Sequence, residues 1–284
     1  MGQHDQAART LIAPLKLLLF VAAAFVLIAG IQLFVLTTAT DRFFAWTIAS
    51  PMTAAFLGAS YLASCLLELF AARQTYWYRA RPGLLSVLTF TSLTTLVTLL
   101  HIDRFHFDAA EPTAVAAAWA WTLVYLAVPP LLATALWLQN KSPGIDPPGS
   151  DDLPRAIVIV LYAQAAVFAT LGLIALIAPE RLASLWPWEL TPLTGRAIGA
   201  WLIALTVAAV EVAEANDVED VQGFARAYAA LDALQLGALA RYGDALDWNG
   251  PAAWIYVTFV VGVLATGAAI LVAKPRRLGA ARPA

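Results

Sequence analysis

Cysteine is nearly absent from this chain: Cys65 stands alone in 284 residues. A single thiol excludes an intrachain disulfide and every CxxC-type metal site. Charge is scarce too. Only 13% of residues are Asp, Glu, Lys or Arg, against about 25% in an average soluble domain. The net charge of −2 offers no basic face to nucleic acid, which needs Lys and Arg clustered on one side. Histidine occurs three times, at His4, His101 and His106. None lies in the middle of an apolar run, so a bis-histidine haem bundle has no ligands. The three lysines, Lys16, Lys141 and Lys274, lie at the edges of apolar runs, which excludes a mid-helix Schiff base. The P-loop, HExxH and GxSxG patterns are missing. No nucleophile, base and orienting group assemble, so no catalytic residue, metal ligand or cofactor is assigned.

What the chain has is apolar surface. Hydrophobic residues make up 61% of it, more than one soluble core can hide, and hydrocarbon is the solvent that removes the conflict. Eight stretches approach the roughly 20 apolar residues that a bilayer-crossing helix needs. They cover 15–36, 51–70, 84–100, 113–138, 156–178, 194–213, 223–240 and 252–273. The first is longer than the roughly 7–15 residues of a signal-peptide core, and is read as a retained span. The seventh is the most polar, with Arg226, Asp232 and Gln235. A helix lying on the membrane surface is its alternative reading.

An internal repeat decides for a span. Ser50-Pro51-Met52-Thr53 through Gly58-Ala59 aligns with Thr191-Pro192-Leu193-Thr194 through Gly199-Ala200. Phe107-Asp108 aligns with Leu246-Asp247, and Ala117-Ala118-Trp119 with Ala252-Ala253-Trp254. The offsets are 141, 139 and 135, in the same order along the chain. The expected fold is therefore all-α integral membrane, with eight transmembrane helices as two parallel-oriented four-helix repeats. The expected organisation is an N-terminal segment 1–14, a first repeat 15–138, a Pro- and Gly-rich linker 139–155, a second repeat 156–273 and a basic tail 274–284. Gly195 and Gly199, echoed by Ala54 and Gly58, are expected to pack the second span on the sixth. Pro129-Pro130 predicts a kink in the fourth.

Twelve basic residues fall on one side of this threading and five on the other. By the positive-inside rule both termini are cytoplasmic, in a bacterial plasma (inner) membrane; the Arg-over-Lys bias is a compositional pointer to such a source. Trp46, Trp119, Trp121, Trp186, Trp188, Trp248 and Trp254 then fall at the outer side, as a belt or an aromatic vestibule.

Asp232 is the most informative position. An acid at the bilayer centre costs about 2.5–3.5 kcal/mol on insertion scales, so it must face the bundle. Helical spacing puts Tyr228 and Gln235 on its face, and Gln164 in the fifth span is its expected partner across the bundle. Arg196 is a candidate for an anionic head group or for pairing with Glu189. Asp232, Gln235, Tyr228, Gln164 and Arg196 form the candidate ligand- or ion-binding set. Glu68, Glu211 and Glu214, near span ends, are expected to reach water. The loop with Arg73, Arg79 and Arg81 is expected to pair, within the chain or between chains, with the acidic loop region holding Glu211, Glu214, Asp217, Glu219 and Asp220. His101, Asp103, His106, Asp108 and Glu111 share an outer loop but fit no closed zinc spacing.

The segment from Trp186-Pro187-Trp188 to Gly199-Ala200-Trp201, with Ala238 to Asp244 beyond it, resembles multi-pass bacterial membrane proteins of unknown function. The resemblance covers mainly the second half and implies no activity. The functional expectation is transport or binding of a small hydrophobic or weakly charged molecule. The alternative is a non-enzymatic scaffold subunit, with a membrane-protein partner or a second copy of the chain beside it in the lipid bilayer.

Overall fold

The computed structural model describes residues 7–147, 149 and 151–273. The expected tail 274–284 and the first six residues of the N-terminal segment lie outside the described residues. The described chain is helical throughout, with only isolated β-bridges beside the helices. The helices are α1 (Ala13–Val35), α2 (Thr40–Phe43), α3 (Pro51–Ala72), α4 (Trp77–Ala80), α5 (Leu84–Leu100), α6 (Pro112–Asn140), α7 (Arg155–Ile177), α8 (Pro179–Leu185), α9 (Pro192–Ala215), α10 (Gln222–Tyr242) and α11 (Pro251–Val272). Six of them (α1, α3, α6, α7, α9 and α11) are long and apolar enough to cross a membrane. Helix α5 is apolar but has 17 residues. Helix α10 has 21 residues but is too polar to qualify by composition.

Prolines mark the helix starts. Pro51, Pro112, Pro179, Pro192 and Pro251 each open a helix, where the missing N–H would have no intrahelical partner anyway. Ser50 accepts from the Thr53 N–H at 3.3 Å, and Thr191 forms a capping box with Thr194. These caps occupy equivalent places in the aligned segments. Asn216, at φ 45°, ends α9 in the left-handed region, which Asn tolerates better than most residues.

The long helices run alternately between two ends of the bundle. At one end the N-terminal segment bonds the loops after α3 and α6: Leu11 N–H to the Thr75 carbonyl and Arg9 N–H to the Ile145 carbonyl, both at 2.9 Å. Arg79 reaches Glu219 in the α9–α10 loop at 3.1 Å, and Arg81 reaches Asp146 at 3.6 Å. At the other end the His106 N–H meets the Ala45 carbonyl, and the Asp247 N–H meets the Pro187 carbonyl. The expected pairing of a basic with an acidic loop is thus present as Arg79–Glu219. A second acid is used differently: Glu211 accepts from the N–H groups of Leu85 and Ser86 at 3.4 and 3.2 Å. It places a carboxylate at the N-terminus of α5, where free N–H groups and the helix dipole favour an anion.

Helices α3 and α9 are the most buried, and the remaining long helices wrap them. Helix α1 packs on α3 and α7 on α9; α5 crosses to α9 and α10 crosses to α3. The outer helices turn large apolar side chains outward, among them Leu17, Ile28, Leu123, Ile159 and Ile255. Apolar surface on that scale marks an interaction or membrane surface, and fits hydrocarbon as the outer solvent.

The glycine pair corrects one expectation. Gly58 lies against the Leu33–Phe34 backbone of α1, and Gly199 against Ala175 and the Gly172 carbonyl of α7. The small residues join the second span to the first and the sixth to the fifth, not the second to the sixth. The contact runs in both directions, since Gly30 of α1 receives Leu62 of α3 and Gly172 of α7 receives Ile203 of α9. Helix α6 continues through Pro129 and Pro130 as one element. Pro129 leaves the Tyr125 carbonyl without its helical donor, and the Thr95 hydroxyl of α5 supplies one.

Candidate functional site

Helix α10 crosses the bundle between α3 and α11. Its apolar positions are mostly alanine, so it is held by its neighbours rather than by bulk of its own. Ten residues from its start it carries Asp232, which is 4% exposed. This side chain lines a cavity of about 590 Å³ bounded by α3, α7, α8, α9, α10 and α11, within the roughly 300–1,000 Å³ usual for small-molecule sites. Phe56, Phe168, Leu202, Leu205, Phe259 and Val263 contribute to a mainly apolar wall.

The polar groups of that wall are largely used within the protein. Gln235 donates to the Phe56 carbonyl at 3.1 Å and accepts from the Tyr256 hydroxyl at 3.2 Å. Ser60 donates to the same Phe56 carbonyl. Two wall groups are buried without a hydrogen-bond partner: Oδ2 of Asp232 and the indole N–H of Trp186. Burying such groups unpaired is costly, so they identify where the cavity has unfilled hydrogen-bonding capacity.

The five candidate residues separate into groups. Asp232 and Gln235 line the cavity. Tyr228 lines a smaller adjoining space of about 60 Å³, which shares Ser60, Leu205 and Leu231 with the larger one. Gln164 does not pair with Asp232. It accepts from the Tyr228 hydroxyl at 2.9 Å and donates to Thr266 at 3.1 Å, clamping α7, α10 and α11 together. Arg196 does not line the cavity and does not meet Glu189. Its Nε donates to the Leu176 carbonyl at 3.2 Å, and its Nη1 lies 2.9 Å from Nε2 of His101. Burial, and next the Arg196 guanidinium, hold the His101 imidazole below its ordinary pKa.

Glu68 is another residue whose surroundings differ from the expectation. It is 1% exposed instead of reaching water. It accepts from Ser64 at 3.1 Å, and its Oε2 is buried without a hydrogen-bond partner. Ser60, Ser64 and Glu68 recur every four residues on one face of α3, a polar stripe visible in the sequence. The tryptophans also divide. Trp119 and Trp254 are exposed, as a belt requires, while Trp46, Trp121 and Trp188 are buried. Trp188 donates to Thr53 at 2.9 Å, tying the loop before α9 to α3. His106 lies 2.9 Å from both Thr47 and the Phe44 carbonyl, so the two outer-loop histidines have different partners. No cluster of three or more His, Cys, Asp and Glu side chains suited to a metal occurs among the described residues.

No family model, curated protein or solved structure matches the chain.

Proposed function

We propose that this is an eight-span plasma-membrane protein that binds or transports a small hydrophobic or weakly charged molecule, with Asp232 as the anchor in its cavity. The observation that carries the reading is the unpartnered Asp232 oxygen on the wall of a space large enough for a small molecule. A clamp that merely joined helices would be expected to satisfy both carboxyl oxygens.

The architecture in this proposal is two four-helix repeats, with α5 and α10 also crossing the bilayer. Three observations support it. Helical contacts come in matched pairs: α1–α3 with α7–α9, α5–α9 with α10–α3, and α5–α6 with α10–α11. Gly30–Leu62 and Gly172–Ile203 are the same contact about 141 residues apart. The helix connections also alternate between the two ends. The distribution of basic residues supports both termini inside.

The test is purification in mild detergent, with mass spectrometry of everything that accompanies the protein. The expected result is a small molecule that is retained by the wild type and lost from Asp232→Asn, with the variant still monodisperse. A stoichiometric protein partner, bound equally by both forms, would replace this reading with that of a scaffold subunit.

A further inference from the structure

Resting on that cavity reading, we infer that the ligand is a lipid-soluble amphiphile with a cationic amine head, and that it enters sideways from the bilayer between α7 and α11. The chemistry of the wall selects the head. Asp232 brings a carboxyl group, and no Lys or Arg lines the cavity with it. A buried carboxylate without a counter-ion is costly, and an ammonium from the ligand supplies both the charge and the N–H donor that its oxygen lacks. An anionic head would place two negative charges together in a medium of low dielectric. The aromatic residues Phe56, Trp186 and Tyr256 line the same space, and aromatic faces also attract cations.

The rim selects the route. Val167 on α7, Leu185 at the end of α8 and Ile255 on α11 line the cavity and are 41%, 61% and 66% exposed. Apolar residues that lie on the cavity wall and also on the outer face form a threshold between hydrocarbon and the interior. A water-soluble ligand would gain nothing from crossing it. An amphiphile already dissolved in the membrane passes it with its tail in apolar surroundings throughout. Asp232 lies deep, near the middle of α10, so the head leads and the tail remains among Phe168, Phe259 and Val263.

Dodecylamine, dodecanol and dodecanoate separate head from tail, because they share the chain and differ in charge. Each is added below its micelle concentration to the purified full-length protein, and native mass spectrometry counts bound molecules. The expected order for the wild type is amine, then alcohol, then carboxylate, with the amine at least about tenfold tighter than the alcohol, a gap of about 1.4 kcal/mol. Asp232→Asn should remove the gap and leave alcohol binding in place. Ile255→Trp, at the rim, should slow the uptake of all three. Equal affinities in the wild type, a preference for the carboxylate, or an amine preference that survives in Asp232→Asn would each overturn the ligand class while leaving the cavity as a binding site. If none of the three binds the wild type, the binding reading itself fails. The wild-type order decides the question even if a variant does not fold.

Discussion

Thr95 has one hydroxyl proton and stands before two carbonyls, those of Thr91 on its own helix and Tyr125 on α6. The second is the one deprived of its helical donor by Pro129. Thr95→Val should therefore destabilise the protein by about 1–3 kcal/mol, the usual consequence of a buried carbonyl left unpaired. In a Pro129→Ala background the backbone N–H returns, and the same change should be nearly silent. Unfolding of the four proteins in detergent gives the coupling directly; an equal loss in both backgrounds would show that the Tyr125 carbonyl is not the cause. His101 makes a second prediction at this scale. Its pKa is lowered in the folded state from the ordinary 6.5, so folding favours the neutral ring. Stability is then full above that ordinary value. It declines as pH falls below it, where the unfolded chain takes up a proton that the folded one resists. His101→Gln keeps an acceptor for Arg196 and cannot titrate. Melting temperatures from about pH 8 to about pH 5 should fall more steeply for the wild type than for the variant.

Among elements, glycine permits close approach at two helix crossings. Gly58 and Gly199 admit no Cβ without movement of neighbouring backbone or of Ala175, whereas Gly262 on α11 has open space around it. Gly58→Leu and Gly199→Leu should each destabilise by at least the roughly 1–3 kcal/mol typical of overpacking. Gly262→Leu should be neutral or mildly stabilising, since leucine favours a helix by up to about 1 kcal/mol over glycine. Folded yield and melting temperature of the three variants check the ranking; equal behaviour would show that small residues do not set the helix spacing. Helix α10 teaches a related lesson. Its composition alone reads as a surface helix, yet Tyr228, Asp232 and Gln235 are 2%, 4% and 2% exposed. These three polar side chains face inward while Arg226 and Arg241 face outward, so an average over the helix describes neither surface.

At the scale of the whole molecule, the halves are interlocked by α5 on α9 and α10 on α3 and joined at one end by Arg79–Glu219. Both partners of that pair are partly exposed, and such pairs contribute up to about 1 kcal/mol. Arg79→Glu and Glu219→Arg should each lower the melting temperature slightly, and the double reversal should restore it. A double variant less stable than either single one would remove the ion pair from the account. High salt should weaken the wild-type contribution and shrink the difference.

Periodicity and composition alone determined where the helices lie. Apolar runs bounded by proline, glycine and charge located the eight long helices of the described residues to within a few residues, because one solvent-imposed requirement acts along the whole of each segment. The polar face of Tyr228, Asp232 and Gln235 followed from helical geometry in the same way. Only the tertiary structure decided which faces meet. Gln164 binds Tyr228 and Thr266 instead of Asp232, Arg196 turns to His101 instead of Glu189, and Glu68 is enclosed though it lies one turn from a helix end. The cavity itself is a gap among six helices drawn from both halves of the chain. Pairing and enclosure depend on the rotation and crossing of whole helices, to which residues distant in sequence all contribute, and no local pattern carries that information.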